Sequence, residues 1–135
     1  MKRILTAIDG SKASYRALEL AAKLAKGLGA ELKILLVRQF VVGRHDVPEV
    51  LSDEEVREIR TLVLEVVAAG DNPATEIIEE RSRDVAYTIV EIALKTEAGL
   101  IVMGASGVGS IKAFVLGSVS NEVLKKSACP VTIVH

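Results

Sequence analysis

Apolar and polar positions change period several times along the chain, and each change marks an element. Ile4 to Ile8 is a short run of branched apolar residues halted by Asp9-Gly10-Ser11, which reads as a buried strand. The period then lengthens to that of a helix. Tyr15, Leu18, Ala21, Ala22, Leu24, Ala25 and Leu28 share one face, Ser11 precedes them as a candidate N-cap, and Gly29 follows as a C′ glycine. Leu32 to Val37 is apolar without alternation, as in a central parallel strand covered on both sides. From Arg38 to Leu51 the pattern lapses around Gly43 and Pro48 and reads as a loop, with Phe40-Val-Val42 either extending the strand briefly or covering a neighbour.

Ser52-Asp-Glu-Glu55 has the form of a capping box, and Val56, Ile59, Val63, Val66 and Val67 carry one helical face towards Ala69, closed by Gly70-Asp-Asn-Pro73. Thr75 to Arg81 sets Ile77 and Ile78 among glutamates without alternation. A short edge strand is the reading adopted, with a helix start as the competing assignment. Ala86, Ile89, Val90 and Ala93 define a helix over Val85 to Thr96, capped by Ser82 or Asp84. Gly99 to Met103 is a further strand, a last helix begins near Val119, and Pro130 introduces a terminal strand, Val131 to Val134. Strands alternating with helices imply an α/β fold: a five-stranded parallel sheet with helices on both faces, a three-layer sandwich. Ligands of such sheets sit beyond the carboxyl ends of the strands. Ala7-Ile8-Asp9, Val37 and Met103-Gly104 would converge there if the strand order is 3-2-1-4-5.

Between the fourth strand and the last helix lies Gly104-Ala-Ser-Gly107-Val-Gly109-Ser110-Ile-Lys-Ala-Phe-Val-Leu-Gly117-Ser118. Glycines there allow positive φ and leave main-chain N–H groups free to converge on an anion, phosphate foremost. Gly117-Ser118-Val119-Ser120 opens the following helix, where the dipole favours the same charge. No Gly-Lys-Ser/Thr ends the run, and the glycine order is not that of the dinucleotide fingerprint. The spacing is Gly-x2-Gly-x9-Gly-Ser, on Gly104, Gly107, Gly117 and Ser118.

That spacing resembles the ATP-binding signature of the universal stress protein family, and the similarity extends from Asp9-Gly-Ser to Cys129-Pro-Val-Thr-Ile-Val134. The resemblance implies sheet order 3-2-1-4-5, an adenine nucleotide as ligand, and a homodimer paired through Val131–Val134. It implies that Ala7, Ile8 and Asp9 lie beside the nucleoside, with Asp9 bonding ribose or base, and that Val37 meets adenine through its main chain. It places Met103 and Gly104 in the same cleft and Gly107, Gly109, Ser110, Gly117, Ser118, Val119 and Ser120 around the phosphates of ATP. Mg²⁺ would be held through those phosphates. The chain departs from the family pattern at Ala98-Gly99, where an acidic residue is common, and at Ser82-Arg-Asp84, where Gly-x-Pro is common.

Composition narrows the rest. With 135 residues, one domain is expected, and with 50% hydrophobic but 3% aromatic residues its core must be aliphatic. A net charge of −1 with scattered signs disfavours nucleic acid as a partner. One cysteine, Cys129, excludes an internal disulfide, and with no signal peptide or membrane span in the sequence a cytoplasmic location is expected. Cys129 is assigned to packing. His45 and His135 form no metal or catalytic pair, and Lys112 is read as solvated rather than as a γ-phosphate ligand. Ser118 and Ser120 are each possible helix caps as well as ligand residues. No residue is evidently aimed at a hydrolytic water, so binding is expected and catalysis is limited to at most a slow ATPase. The alternative to a nucleotide-dependent switch is a dimeric scaffold indifferent to nucleotide.

Overall fold

The structure, a computed structural model, describes residues 1–40, 51–72, 75–105 and 117–135. Its elements run β1 (Arg3–Ile8), α1 (Lys12–Leu28), β2 (Glu31–Gln39), α2 (Asp53–Gly70), β3 (Thr75–Ser82), α3 (Val85–Lys95), β4 (Leu100–Gly104), α4 (Ser118–Lys126) and β5 (Val131–Val134). Among the described residues the strands form one parallel sheet in the order β3-β2-β1-β4-β5, the expected order.

Strand periodicity splits the core in two. Ile4 and Ile8 of β1, with Ile34 and Leu36 of β2, meet Ala17, Leu18 and Ala21 of α1 and Val56, Ile59 and Val63 of α2. Leu5, Leu35, Val37, Ile101 and Met103 point the other way, onto Ala86, Ile89 and Ala93 of α3 and Val123 of α4. Each face of the sheet is therefore roofed by two helices. The small α1 face, alanine at Ala17, Ala21 and Ala25, lets that helix lie close to the sheet. Leu28, read from the sequence as part of this face, lies in the last turn and is exposed.

Segment 75–82 is a strand, not a helix start. It pairs with β2 from Leu32↔Thr75 to Gln39↔Ser82. Its adjacent isoleucines break alternation because Ile77 joins the α1–α2 core and Ile78 the α3–α4 core.

The capping residues explain where the helices start. Ser11 accepts the Ser14 N–H at 3.1 Å, and Gly29 ends α1 at φ 65°. Ser52 and Glu55 form the reciprocal capping box of α2. Gly70 stays helical and Asp71 takes the left-handed position, at φ 52°, which short polar side chains tolerate. For α3 the choice falls on Asp84, which accepts the Tyr87 N–H at 3.1 Å, while Ser82 bridges to the Asp84 main chain. Among the described residues no side chain caps α4. Gly117 is its N-cap, and neither Ser118 nor Ser120 has that role.

Candidate nucleotide site

Beyond the carboxyl ends of β2, β1 and β4 the sheet opens into a cavity of about 310 Å³. β1 contributes Ala7, Ile8 and Asp9, β2 contributes Val37, β4 contributes Met103 and Gly104, and the first turn of α4 contributes Gly117, Ser118, Val119 and Ser120. Every expected site residue that the structure describes thus lines one cavity. Gly107, Gly109 and Ser110 lie outside the described residues, as do Lys112 and His45. Sequence reasoning did not assign Ser11 and Ser14 at the start of α1, Leu35 and Gln39 of β2, Leu51 and Glu55 beside and within α2, or Val85 and Ile89 of α3. Counting by two from Val37 along β2 would have found Leu35 and Gln39. Glu55 was legible only as half of a capping box.

The turn after β1 is built by its own polar groups. Asp9 Oδ1 accepts the Ser11 N–H at 2.9 Å, and Ser14 Oγ donates to the Ser11 carbonyl at 2.8 Å. Gly10 has φ +86°, and a Cβ there would approach Ile59 Cδ1 to 3.0 Å, so both conformation and space call for glycine. Burial raises the Tyr15 hydroxyl above its ordinary pKa, helped by the nearby Asp9 and Glu58 carboxylates.

At Gly104 the absence of a side chain has a different cause from the one the sequence suggested. Neither Gly104 nor Gly117 adopts positive φ. Gly104 ends β4 paired with Val134, and a Cβ would lie 2.9 Å from both the carbonyl carbon and the Cβ of Ala13. The glycine lets α1 sit against the strand. Gly117 donates its N–H to the Ala105 carbonyl at 2.7 Å, so that amide is committed to the fold. Ser120 is 2% exposed and donates its hydroxyl to the Gly104 carbonyl at 2.8 Å, which takes that proton away from any ligand. The remaining donors are the first amides of α4. A helix cannot pair them internally, no side chain among the described residues caps them, and Ser118, Val119 and Ser120 all line the cavity. The positive end of the helix dipole lies there too.

On the other side β2 outruns β1. The β1–β2 register ends at Ile8↔Leu36, whereas β2 pairs with β3 as far as Gln39↔Ser82. Phe40 donates its N–H to the Ser82 carbonyl at 3.0 Å. By alternation Val37 and Gln39 face β1 instead: the Val37 N–H completes the ladder on the Ile8 carbonyl, and the Val37 carbonyl and the Gln39 main chain lie beyond the end of β1. Leu35, Val37, Val85, Ile89 and Met103 supply an apolar wall, and among the described residues the cavity carboxylates are Asp9 and Glu55. Among the described residues no group of three His, Cys, Asp or Glu could hold a metal ion, and no helix is long and apolar enough to cross a membrane. Cys129 is half-buried against the α3–α4 core, its Sγ 3.5 Å from Ser127 Oγ.

Comparison with known proteins agrees with this architecture. The model of the universal stress protein family matches residues 1–135. Universal stress protein YxiE of Bacillus subtilis (strain 168) is 37% identical over 145 residues, covering 98% of each chain. A universal stress protein solved in complex with cAMP superposes with a TM-score of 0.74 at 27% identity, over 99% of this chain and 97% of that one. The universal stress protein of Archaeoglobus fulgidus in complex with dAMP gives a TM-score of 0.73 at 21% identity, over 100% of this chain and 98% of that one, a likeness of fold alone.

Proposed function

The chain belongs to the universal stress protein family, and from that premise we propose that it binds ATP in this cavity and works as a homodimeric, nucleotide-dependent switch in the stress response. The observation that carries the reading is the pairing of opposites in one cavity: the first turn of α4, which no side chain among the described residues caps, on one side, and an apolar wall with the end of β2 that outruns β1 on the other. A phosphate chain suits the first and a purine the second. The two relatives solved with cAMP and dAMP hold ligands of the same chemical class.

In this reading the amides of Ser118, Val119 and Ser120 meet the phosphates, together with Gly107, Gly109 and Ser110 of the family signature. Ser118 is exposed, so its hydroxyl is available to them as well. Ala7, Ile8 and Met103 line the nucleoside, Asp9 offers its second carboxylate oxygen to the ribose or base, and the Val37 main chain meets the adenine edge. Gly104 and Gly117 act through the backbone they shape. Mg²⁺ would be held through the phosphates of the nucleotide. The two carboxylates that line the cavity among the described residues already accept a main-chain N–H, Asp9 from Ser11 and Glu55 from Ser52, which suits holding a nucleotide better than activating water. Turnover is accordingly slow or absent, and the protein acts in the cytoplasm.

The dimer reading rests on the two sheet edges. β3 carries Glu76, Glu79, Glu80 and Arg81, charges that discourage edge pairing. β5 is Val-Thr-Ile-Val. Ile101 donates to the Pro130 carbonyl and Ala105 to the Val134 carbonyl, so Val131 and Ile133 aim their main chain outward, away from β4. A second copy of the same strand would satisfy that edge.

Mass spectrometry of the small molecule released from freshly purified, denatured protein tests the ligand, and ATP with Mg²⁺ should raise the melting temperature. Stabilisation of about 2.7 kcal/mol is expected at a hundredfold excess over Kd. An empty cavity and no thermal shift would favour the nucleotide-independent scaffold. Sedimentation that finds a monomer at micromolar concentration would remove the dimer.

A further inference from the structure

The cavity has a polar side chain that neither the glycine signature nor the β1 turn accounts for: Glu55, in the first turn of α2. We propose that Glu55 is a specificity-determining residue that reads the 6-amino group of the bound purine and so selects adenine over 6-oxopurine nucleotides. The inference rests on the nucleotide reading above and adds to it a residue and a discrimination.

Its position follows from the sheet. Phosphates at the amino end of α4 lie on the β4 side of β1, and β2 lies on the other side, so the base reaches the β2 end of the cavity. The start of α2 is fastened to that same end. Arg38 of β2 donates Nη2 to the Leu51 carbonyl at 3.2 Å and pairs with Asp53 Oδ1 at 2.8 Å. Leu51 and Glu55 thereby line the cavity from the α1–α2 side, while Val37 and, by strand parity, Gln39 line it from the α3 side. Within the capping box Glu55 Oε1 accepts the Ser52 N–H at 3.2 Å, which fixes the carboxylate and leaves Oε2 as the second acceptor.

The chemistry then discriminates by sign. A carboxylate only accepts hydrogen bonds. Adenine presents an amino donor at C6, whereas guanine and hypoxanthine present a carbonyl there, which sets acceptor against acceptor. A hydrogen bond to a charged group, lost and replaced by repulsion, corresponds to a change in affinity of about tenfold or more.

Titration calorimetry of the full chain with ATP, ITP and dATP tests this, because ITP carries the 6-oxo group and dATP lacks only the ribose 2′-hydroxyl. The wild type should bind ATP at least about tenfold more tightly than ITP. Glu55→Gln keeps a residue type found in capping boxes, so the helix start is retained, while its amide can donate to a 6-oxo group. That variant should erase most of the ATP-over-ITP preference and leave the ATP-to-dATP ratio unchanged. Ser52→Ala breaks the same box but keeps the carboxylate, and should lower the melting temperature without moving the ATP-to-ITP ratio. Equal binding of ATP and ITP by the wild type overturns the proposal. So does a preference that survives Glu55→Gln, one that falls equally in Ser52→Ala, or a Glu55→Gln effect on dATP alone. A wild type that binds none of the three overturns the nucleotide reading itself, and this inference with it.

Discussion

Replacing Gly104 with alanine separates two explanations of the same glycine. If Gly104 serves only to expose an amide to phosphate, a methyl group should damage binding and spare the fold. The structure predicts the reverse priority. The added Cβ would lie 2.9 Å from the Ala13 carbonyl carbon, the Ala13 Cβ and the Ser14 nitrogen. Apolar carbons prefer about 3.5–4.0 Å, so β4 and the first turn of α1 must part by about half an ångström or more.

Neither side yields easily. The α1 turn is fastened by the Ser11 cap and by the Ser14 hydroxyl on the Ser11 carbonyl, and Gly104 is laddered to β5 opposite Val134. Overpacking of this kind costs about 1–3 kcal/mol, and contact with main-chain atoms on a fastened turn points to the upper end. The lower entropy of the unfolded alanine chain returns about 0.5–1 kcal/mol. A net loss of about 2 kcal/mol remains, a drop in melting temperature of about 6 °C for a domain of this size.

Urea unfolding followed by circular dichroism measures the loss directly. Gly27→Ala is the matched control, because nothing lies within 4 Å of its added Cβ and the residue is helical within α1. It should stabilise by about 0.5–1 kcal/mol. If Gly104→Ala stays within about 0.5 kcal/mol of the wild type, or if both variants shift in the same direction, the close approach of α1 to β4 is not what demands this glycine.

Two further outcomes follow from hydrogen bonds. Ser120→Ala removes the buried hydroxyl that donates to the Gly104 and Ala105 carbonyls, and should cost about 1 kcal/mol in urea unfolding, with an unchanged stability counting against that bond. Glu31 is held below the ordinary glutamate value of 4.5, first by its hydrogen bond from Arg3 Nε at 3.0 Å, against the opposing effect of burial, with further help from the Arg3 and Lys33 charges. A lowered folded-state pKa means stabilisation fully present above the unfolded value and lost as pH falls through the folded one. Glu31→Gln should therefore flatten the acid limb of a melting-temperature profile below pH 4.5, and profiles that stay parallel there would refute the assignment.

The sequence reading succeeded where one physical requirement dominates a position and erred where two compete. Helix faces and most caps were legible because Ser11, Gly29 and the Ser52–Glu55 box each act on their own few neighbours. β3 was ambiguous because Ile77 and Ile78 serve opposite cores, which abolishes the alternation that marks a strand. Serines at Ser118 and Ser120 suggested caps, yet the cap is Gly117, and the Ser120 hydroxyl is committed to the end of β4. Those expected site residues that the structure describes line one cavity because they sit at strand ends and at the start of α4. Glu55 was missed because the Arg38 clasp that brings it to the cavity cannot be read from local spacing, whereas Gln39 stands two residues beyond Val37 on the same face of β2 and was within reach of a count by two.

Ala105 shows how the site is kept separable from the fold. Its N–H donates to the Val134 carbonyl at 2.8 Å, and its own carbonyl accepts the Gly117 N–H at 2.7 Å and the Ser120 hydroxyl at 3.2 Å. The residues flanking segment 106–116 are thus joined to each other and to β5 by bonds that do not involve the segment. Closing a chain between fixed ends is an entropic cost already met by those bonds, so a ligand that engages the segment need not draw its ends together. Gly107 belongs to the segment and Gly104 to the framework. Gly107→Val should therefore abolish ATP binding in calorimetry while unfolding in urea at the wild-type midpoint, opposite to the order of effects at Gly104. A Gly107→Val protein that binds ATP normally would remove the phosphate role from the segment, and one that loses stability as Gly104→Ala does would show that segment and framework are not separable after all.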